Sequence, residues 1–351
     1  MSIFGKNIRI SLFGASHEKY IGLTIHGFPA GIEINDDLIK KRLKLRRGLN
    51  HLTSKRFETD EFSFISGVFK GFSTGAPLTV LVENIDLKSA DYEKTYGLAR
   101  PSHADYTQHI KYHGFEDYRG GGRASGRLTV VFIILGALCE EILVKRGIII
   151  ASRIESVYNI IDRKKSLELN HLLSLKEEVF PVISEETKIE MLDLIEKTAS
   201  VGDSLGGIVE TWIYGLPAGV GSPFFDSLES YLSHLIFSVP GVKGIEFGSG
   251  FEITKLTGSE ANDMMHFEEG IKYYSNHSGG INGGISNGNQ VYFRTAFKPT
   301  PSISKPQKTI NFLKNESVEI EIIGRHDAII AIKGLHVINA LTNYAILDMI
   351  L

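Results

Sequence analysis

The sequence predicts an α+β fold, a single large domain whose two similar halves share one core. Three observations carry that reading. Short apolar, β-branched runs alternate with helix-like stretches along the whole chain. A block that reads strand, Gly-x-Pro-Ala-Gly, helix occurs twice, as "IHGFPAGIEINDDLIKKRL" at 25–43 and "IYGLPAGVGSPFFDSLESYL" at 213–232, about 190 residues apart. No low-complexity linker parts the two copies, and even the nearest thing to a boundary, 143–170, carries strand-like runs. The pseudo-repeated halves are expected at roughly 1–150 and 200–351 of the 351-residue chain.

The elements follow in order. "NIRISLFG" (7–14) and "APLTVLVEN" (76–84) are apolar and β-branched, hence strands. "NDDLIKKRLKLRR" (35–47) opens on a capping Asn35 and places Leu38, Ile39, Leu43 and Leu45 at helical spacing, which predicts a basic helix. "SGRLTVVFIILGALCEEILVKRG" (125–147) starts on a serine and ends on Lys-Arg-Gly, the signals of a buried helix. Its apolar run, about 12 residues before Glu140, is too short for a bilayer, which needs roughly 20. The one cysteine, Cys139, lies inside it as a core thiol and excludes an internal disulfide framework, which suggests a reducing compartment. "SEETKIEMLDLIEKTAS" (184–200) is an amphipathic surface helix. "SPFFDSLESYLSHLIFSVPG" (222–241) reads as a helix with Pro223 in its first turn and Pro240 at its stop. "LHVINALTNYAILDMIL" closes the chain as a last helix. The N-terminus has no long apolar run with a small-residue cleavage site, so a soluble cytoplasmic protein is expected.

The net charge of −3 leaves no global basic excess to point at nucleic acid, so any cationic site must be local. The stretch "DYRGGGRASGR" (117–127) is such a site. Its glycines allow close backbone approach, and the helix after it favours an anion at its N-terminus. Arg119, Arg123 and Arg127 supply forked donors, with Ser125 beside them, for a phosphate-like group. The bland alternative is a glycine turn carrying solvated arginines. The spacing is neither that of a P-loop nor that of a dinucleotide-binding turn.

Three loop clusters add histidines: "GASHEK" with Ser16 and His17, "RPSHADY" with Arg100 and His103, and "GRHDA" with Arg325, His326 and Asp327. Histidine transfers protons near neutral pH. Arg46 and Arg47 close the basic helix, where cations also suit the helix dipole. "NHSGGINGGISNGNQ" (276–290) and "KPTPSIS" (298–304), with Lys298, Thr300 and Ser302, suit a second anion such as a cofactor phosphate, or form a long surface loop. No Cys/His metal spacing is present. Taken alone, these residues give an enzyme with a cationic cleft, two or more proton-transferring histidines and two anionic ligands, but not its reaction.

In joint order and spacing, "FGASHEKYIGLTIHGFPAG", "RPSHADYT", "DYRGGGRASGR", "GVGSPFFDSLE", "VPGVKGIEFGSGF", "HSGGINGGISNG", "KPTPSI" and "GRHDA" resemble the chorismate synthase family from about residue 5 to 350. The resemblance implies an anti-1,4-elimination on 5-enolpyruvylshikimate 3-phosphate, with loss of phosphate and a C6 hydrogen to give chorismate. It implies reduced FMN without net redox change, and a layered β-α sandwich assembled as a homotetramer. It places His17 as the acid for the leaving phosphate, His103 as a proton donor near flavin N1, and Asp327 as the group that helps move a proton from flavin N5. Substrate contacts fall to Ser16, Arg46, Arg47, Arg56, Arg100, Ser125, Arg127 and Arg325. Flavin contacts fall to Arg123, Ala124, Ser125, Pro240, Gly241, Gly283, Lys298, Pro299, Thr300, Pro301, Ser302 and Arg325.

The sequence departs from the family pattern at Glu18, Ser102 and Ala124, where the pattern has Gly, Gly and Ser, and at His51 in place of an arginine. "KYHGFEDYRG" carries one extra residue. Some relatives also reduce their own flavin with NADPH. This chain has no added segment, so an external flavin reductase is expected to supply the electrons. A polyanion- or RNA-binding protein is the rival of another class, and the charge and the lack of repeated aromatic platforms argue against it.

Overall fold

The computed structural model describes residues 2–48, 59–85, 96–163, 169–322 and 326–351. It falls into two compact units. One comprises Met1–Ile134, Leu192–Leu205 and Pro299–Ile330; the other comprises Leu135–Met191, Gly206–Lys298 and Ala331–Leu351.

The first unit is built on an antiparallel sheet of β1 (Ile3–Phe4), β2 (Arg9–Gly14), β3 (Tyr20–His26), β4 (Phe62–Ser66) and β5 (Leu78–Glu83), in the order β1-β2-β3-β5-β4. Strand alternation sets its buried face: Ile21, Leu23 and Ile25 on β3 and Leu78, Val80 and Val82 on β5 are fully buried. Helix α1 (Asp36–Arg46) lies between β3 and β4 in the chain. The Asn35 side chain accepts the Leu38 N–H at 3.0 Å. Acidic residues fill the first turn and basic ones the last, as the helix dipole favours.

The second unit begins within α2 (Val130–Lys145). Its sheet holds β6 (Ile149–Val157), β7 (Ile160–Ile161), β8 (Gly207–Tyr214), β9 (Val242–Phe247) and β10 (Val291–Phe297), in the order β9-β10-β8-β6-β7. Helix α3 (Leu228–Ile236) lies between β8 and β9 in the chain, and α4 (Ala331–Ile350) packs on β6, β8 and α3. Cys139 is fully buried, and burial pushes its thiol above the ordinary value.

The two sheets share one connectivity. In chain order the first runs β2, β3, α1, β4, β5 with β5 inserted between β3 and β4. The second runs β6, β8, α3, β9, β10 with β10 inserted between β8 and β9. The repeated Gly-x-Pro-Ala-Gly starts just past the second strand of each set. Gly27 and Gly215 both have φ of 75°, and a Cβ would stand 2.2 Å from the Asn7 carbonyl oxygen and 2.1 Å from that of Gly147. Only glycine fits either place.

The expected elements recur with small changes. The helix expected over 222–241 is the exception. Phe224 has φ of 65° and cannot continue a right-handed helix, so Phe224–Asp226 form a short 3₁₀ turn. The α-helix starts only at Leu228, past the expected first turn at Pro223, with Ser227 at its cap accepting the Ser230 N–H at 3.0 Å. The helix expected from Ser125 likewise opens with a 3₁₀ turn, Gly126–Thr129. No helix among the described residues is long and apolar enough to cross a membrane.

Candidate functional site

Strand β2 runs into the "GASH" loop, and the glycine–arginine loop lies directly against it. The Ser16 N–H donates to the Gly122 carbonyl at 3.2 Å. The Ser16 hydroxyl donates to the Arg119 carbonyl at 3.2 Å and shares a 3.0 Å hydrogen bond with His17 Nδ1. Ser16 is 1% and His17 6% exposed, more buried than a loop histidine suggests from sequence. Gly120 is why the loops can meet. Its φ is 64°, and a Cβ would stand 2.5 Å from His17 Cε1 and 3.0 Å from Ser16 Oγ.

The "RPSHAD" turn is tied to the same loop. Arg100 grips Asp105 with a fork, Nε to Oδ2 at 2.9 Å and Nη2 to Oδ1 at 2.6 Å, and Nη2 also donates to the Gly120 carbonyl at 2.6 Å. Ser102 stands where the family pattern has glycine, and its φ is 59°. His103 donates its N–H to the Arg100 carbonyl at 3.1 Å, and its Nε2 meets Ser302 Oγ at 2.8 Å. Two residues expected at one flavin thus touch, 199 positions apart in the chain.

The arginines of "DYRGGGRASGR" have separate tasks, so neither the phosphate cradle nor the solvated turn describes them all. Arg119 forks onto Asp117 at 2.7 and 2.8 Å. That hydrogen-bonded guanidinium holds the Asp117 carboxyl below its ordinary value, against the opposing effect of burial. Arg123 is exposed and bonds Ser2 Oγ. Ala124 is exposed, and Ser125 Oγ accepts the Arg127 N–H at 3.2 Å. Arg127 is buried, paired with Asp60, and donates Nε–H to Asn84 Oδ1 at 3.0 Å. Asn84 in turn donates to the carbonyls of Ala15 and Glu18 at 3.2 and 2.7 Å, on either side of Ser16–His17. Arg127, expected to hold substrate, is thus linked through Asn84 to the loop that carries Ser16 and His17.

At the end of α1, Arg46 donates to Thr129 Oγ1 and to the Gly126 carbonyl, with Nη2 at 3.0 Å from each. Arg47 donates to the Thr59 carbonyl at 2.5 Å and stands 3.7 Å from Asp60. Asp327 is half-buried, next to Ala328, whose carbonyl accepts the Leu205 N–H at 2.8 Å. Arg56, Arg325 and His51 lie outside the described residues.

The family model for chorismate synthase matches residues 8–351. The chain belongs to the chorismate synthase family. Relatives named chorismate synthase agree along their full length. That of Lachnoclostridium phytofermentans is 42% identical over 100% of this chain and 95% of its own. Those of Korarchaeum cryptofilum and Thermococcus kodakarensis are 40% and 39% identical, each over 99% of this chain and 97% of its own. A crystal structure of a chorismate synthase, 25% identical, matches with a TM-score of 0.78 over 99% of this chain and 92% of that one. The expected α+β fold and the expected lyase of the shikimate pathway both stand, and with chorismate synthase membership comes a reduced flavin as cofactor.

The residues expected at that flavin fit such a group. In the first unit, Thr300 is 8% exposed between Pro299 and Pro301. Its carbonyl accepts the Ser204 hydroxyl at 2.7 Å, while its own buried hydroxyl has no partner among the described residues. An orphaned hydroxyl of that kind is worth roughly 1–3 kcal/mol to a ligand that satisfies it. In the second unit, the Lys298 N–H donates to the Gly241 carbonyl at 3.0 Å, next to Pro240. Gly283 and Gly284, with φ of 61° and 85°, turn a tight hairpin between Ile281–Asn282 and Ile285–Ser286. The glycine-rich stretch is thus a folded hairpin rather than a loose loop. No group of His, Cys, Asp and Glu among the described residues could hold a metal.

Sequence reasoning missed Asp60, Asn84, Asp105 and Asp117, which orient these chorismate synthase loops. A signal was present for two of them: Asp105 and Asp117 stand inside the quoted motifs, and a buried arginine needs an acid nearby.

Proposed function

We propose that the chain forms chorismate from 5-enolpyruvylshikimate 3-phosphate with reduced FMN. The observation that carries this reading is the Ser16–His17 pair pinned beneath the Arg119–Gly122 backbone, with Arg100 tied to the same loop. The C3–O bond to phosphate breaks, the C6–H proton is removed, and the diene forms without net redox change. A reduced flavin, when bound, supplies electron density to the allylic C–O bond. His17 gives its proton to the departing phosphate, which lowers the cost of the charge developing there. His103 holds a proton for the flavin edge near N1, its ring fixed by Ser302. Asp327 helps move a proton away from the flavin edge near N5. Arg46, Arg47, Arg56, Arg100, Arg127 and Arg325, with Ser16 and Ser125, hold the anionic substrate. Arg123, Ala124, Pro240, Gly241, Gly283 and the segment Lys298 to Ser302 hold FMN.

The same reading makes the protein a cytoplasmic homotetramer that draws reduced FMN from a separate flavin reductase and does not reduce it with NADPH. The test is an anaerobic assay with dithionite-reduced FMN and the enolpyruvyl substrate. Phosphate and chorismate should appear together, in equal amounts. Phosphate without chorismate, or no dependence on reduced FMN, refutes the proposal. Robust turnover by reductase-free protein on NADPH and oxidised FMN assigns it instead to the form that reduces its own flavin.

A further inference from the structure

A second cation stands beside Lys298, and no role considered so far uses it. Strands β9 and β10 pair Val242 with Phe297 and Gly244 with Ala296, and the register shifts between these pairs. Lys243 is the extra residue of that bulge, and a bulge re-aims its side chain. Val242 and Phe297 are buried on the face packed under the helices. Alternation therefore puts Lys243 and Lys298 on the opposite face, beside Gly244 and Ala296. Little fills the floor between them: a Cβ on Gly244 would only just touch that of Ala296, at 3.5 Å. The Lys298 N–H bond to the Gly241 carbonyl fixes where its side chain departs. Burial lowers the Lys298 ammonium from its ordinary value, and repulsion from Lys243 adds to it, so the two charges sense one another. Two cations held together by backbone register are unfavourable alone and favourable around a dianion.

We infer that Lys243, together with Lys298, receives a phosphate monoester dianion on the face of the β9–β10 pair opposite Val242 and Phe297. The inference rests on the reading of a phosphate-bearing cofactor and substrate given above. FMN and the enolpyruvyl substrate each carry such a group, and Lys298 is already assigned to FMN, so the flavin's phosphate is the expected occupant.

The test is equilibrium binding to the full chain, wild type, Lys243→Ala and Lys243→Arg, each with a thermal melt. FMN and riboflavin are titrated by fluorescence, and the enolpyruvyl substrate by calorimetry. Lys243→Ala should weaken FMN about tenfold, the loss of one charge-assisted hydrogen bond, leave riboflavin unchanged, and be rescued by Lys243→Arg. A tenfold loss for the substrate with FMN unchanged keeps the phosphate subsite and moves it to the substrate. Equal weakening of FMN and riboflavin, or no change for any phosphate-bearing ligand, overturns the inference while leaving the flavin reading in place. A wild-type protein that binds no FMN removes the cofactor reading and this inference with it.

Discussion

The two units share a strand connectivity and the same left-handed glycine after the second strand, yet they place their arginines differently. In the first unit the cations sit where strands and helices end: Arg46 and Arg47 at the end of α1, Arg100 in a turn, and Arg119 and Arg127 around the glycine loop. In the second, Arg153 and Arg294 are paired across strands inside the sheet. Arg153 on β6 donates to Glu210 on β8 at 2.5 Å and stands 3.2 Å from Asp162, while Arg294 on β10 reaches Glu246 on β9 at 2.8 Å. Burial, and then the charge of Glu210, raises the Glu155 carboxyl nearby. Where α1 ends in exposed cations, α3 turns inward, and its Tyr231 hydroxyl donates to the buried Asp348 of α4. One strand connectivity thus carries two arrangements of charge, one in the loops after its strands and one across the strands themselves.

The largest test of that contrast is at the histidines. His17→Ala and His103→Ala should each lower anaerobic turnover by about 10²–10⁴, the usual range for one positioned acid. His17→Ala should spare the affinity for reduced FMN, and His103→Ala should alter the spectrum or affinity of the bound flavin. Activity that merely follows a collapsed melting temperature would return either residue to a structural role. Next come the matched glycines. Gly27→Ala and Gly215→Ala both force a Cβ against a carbonyl at positive φ, so urea unfolding should show losses on the order of 2–3 kcal/mol for each. The two losses should agree within about 1 kcal/mol; a larger gap would mean that the shared connectivity is not a shared scaffold.

A smaller gain is expected at Ser102, a non-glycine residue in the left-handed region. Ser102→Gly should stabilise the fold by about 0.5–1 kcal/mol in the same measurement, and a loss would show that the serine side chain holds the turn. Smallest is the pH effect at Asp117. Its folded value is lowered, so its stabilising contribution is present above the ordinary carboxylate range and is lost as pH falls through the depressed value. Solvent around the pair limits this to a few tenths of a kcal/mol. Wild type and Asp117→Asn should differ near neutral pH and converge in acid, and a constant gap would deny the ion pair that role.

Much of the fold was legible because its signals are local. Asn35 capped its helix as read, the apolar β-branched run at 76–84 became β5, and the repeated Gly-x-Pro-Ala-Gly lies just past the second strand of each set. The start of α3 was not legible, because a proline at a first-turn position is also compatible with the 3₁₀ turn that the backbone of Phe224 imposes. At the site, the motifs named the right loops but not the partners inside them. The pairing of Arg127 with Asp60 and Asn84 spans 67 and 43 positions, and no periodicity reports contacts at that distance. The joining of His103 to Ser302 was hidden for the same reason.

The Ser16 hydroxyl has one proton, and the Arg119 carbonyl can only accept, so that proton is already committed. Towards His17 the same oxygen must act as acceptor, which places a hydrogen on Nδ1 and leaves Nε2 bare in the neutral ring. In the role proposed for His17, the proton given to the phosphate would come from Nε2 of the protonated ring. Removing the hydroxyl with Ser16→Ala should free the ring to take the other tautomer, visible as a change in the nitrogen-15 shifts of His17.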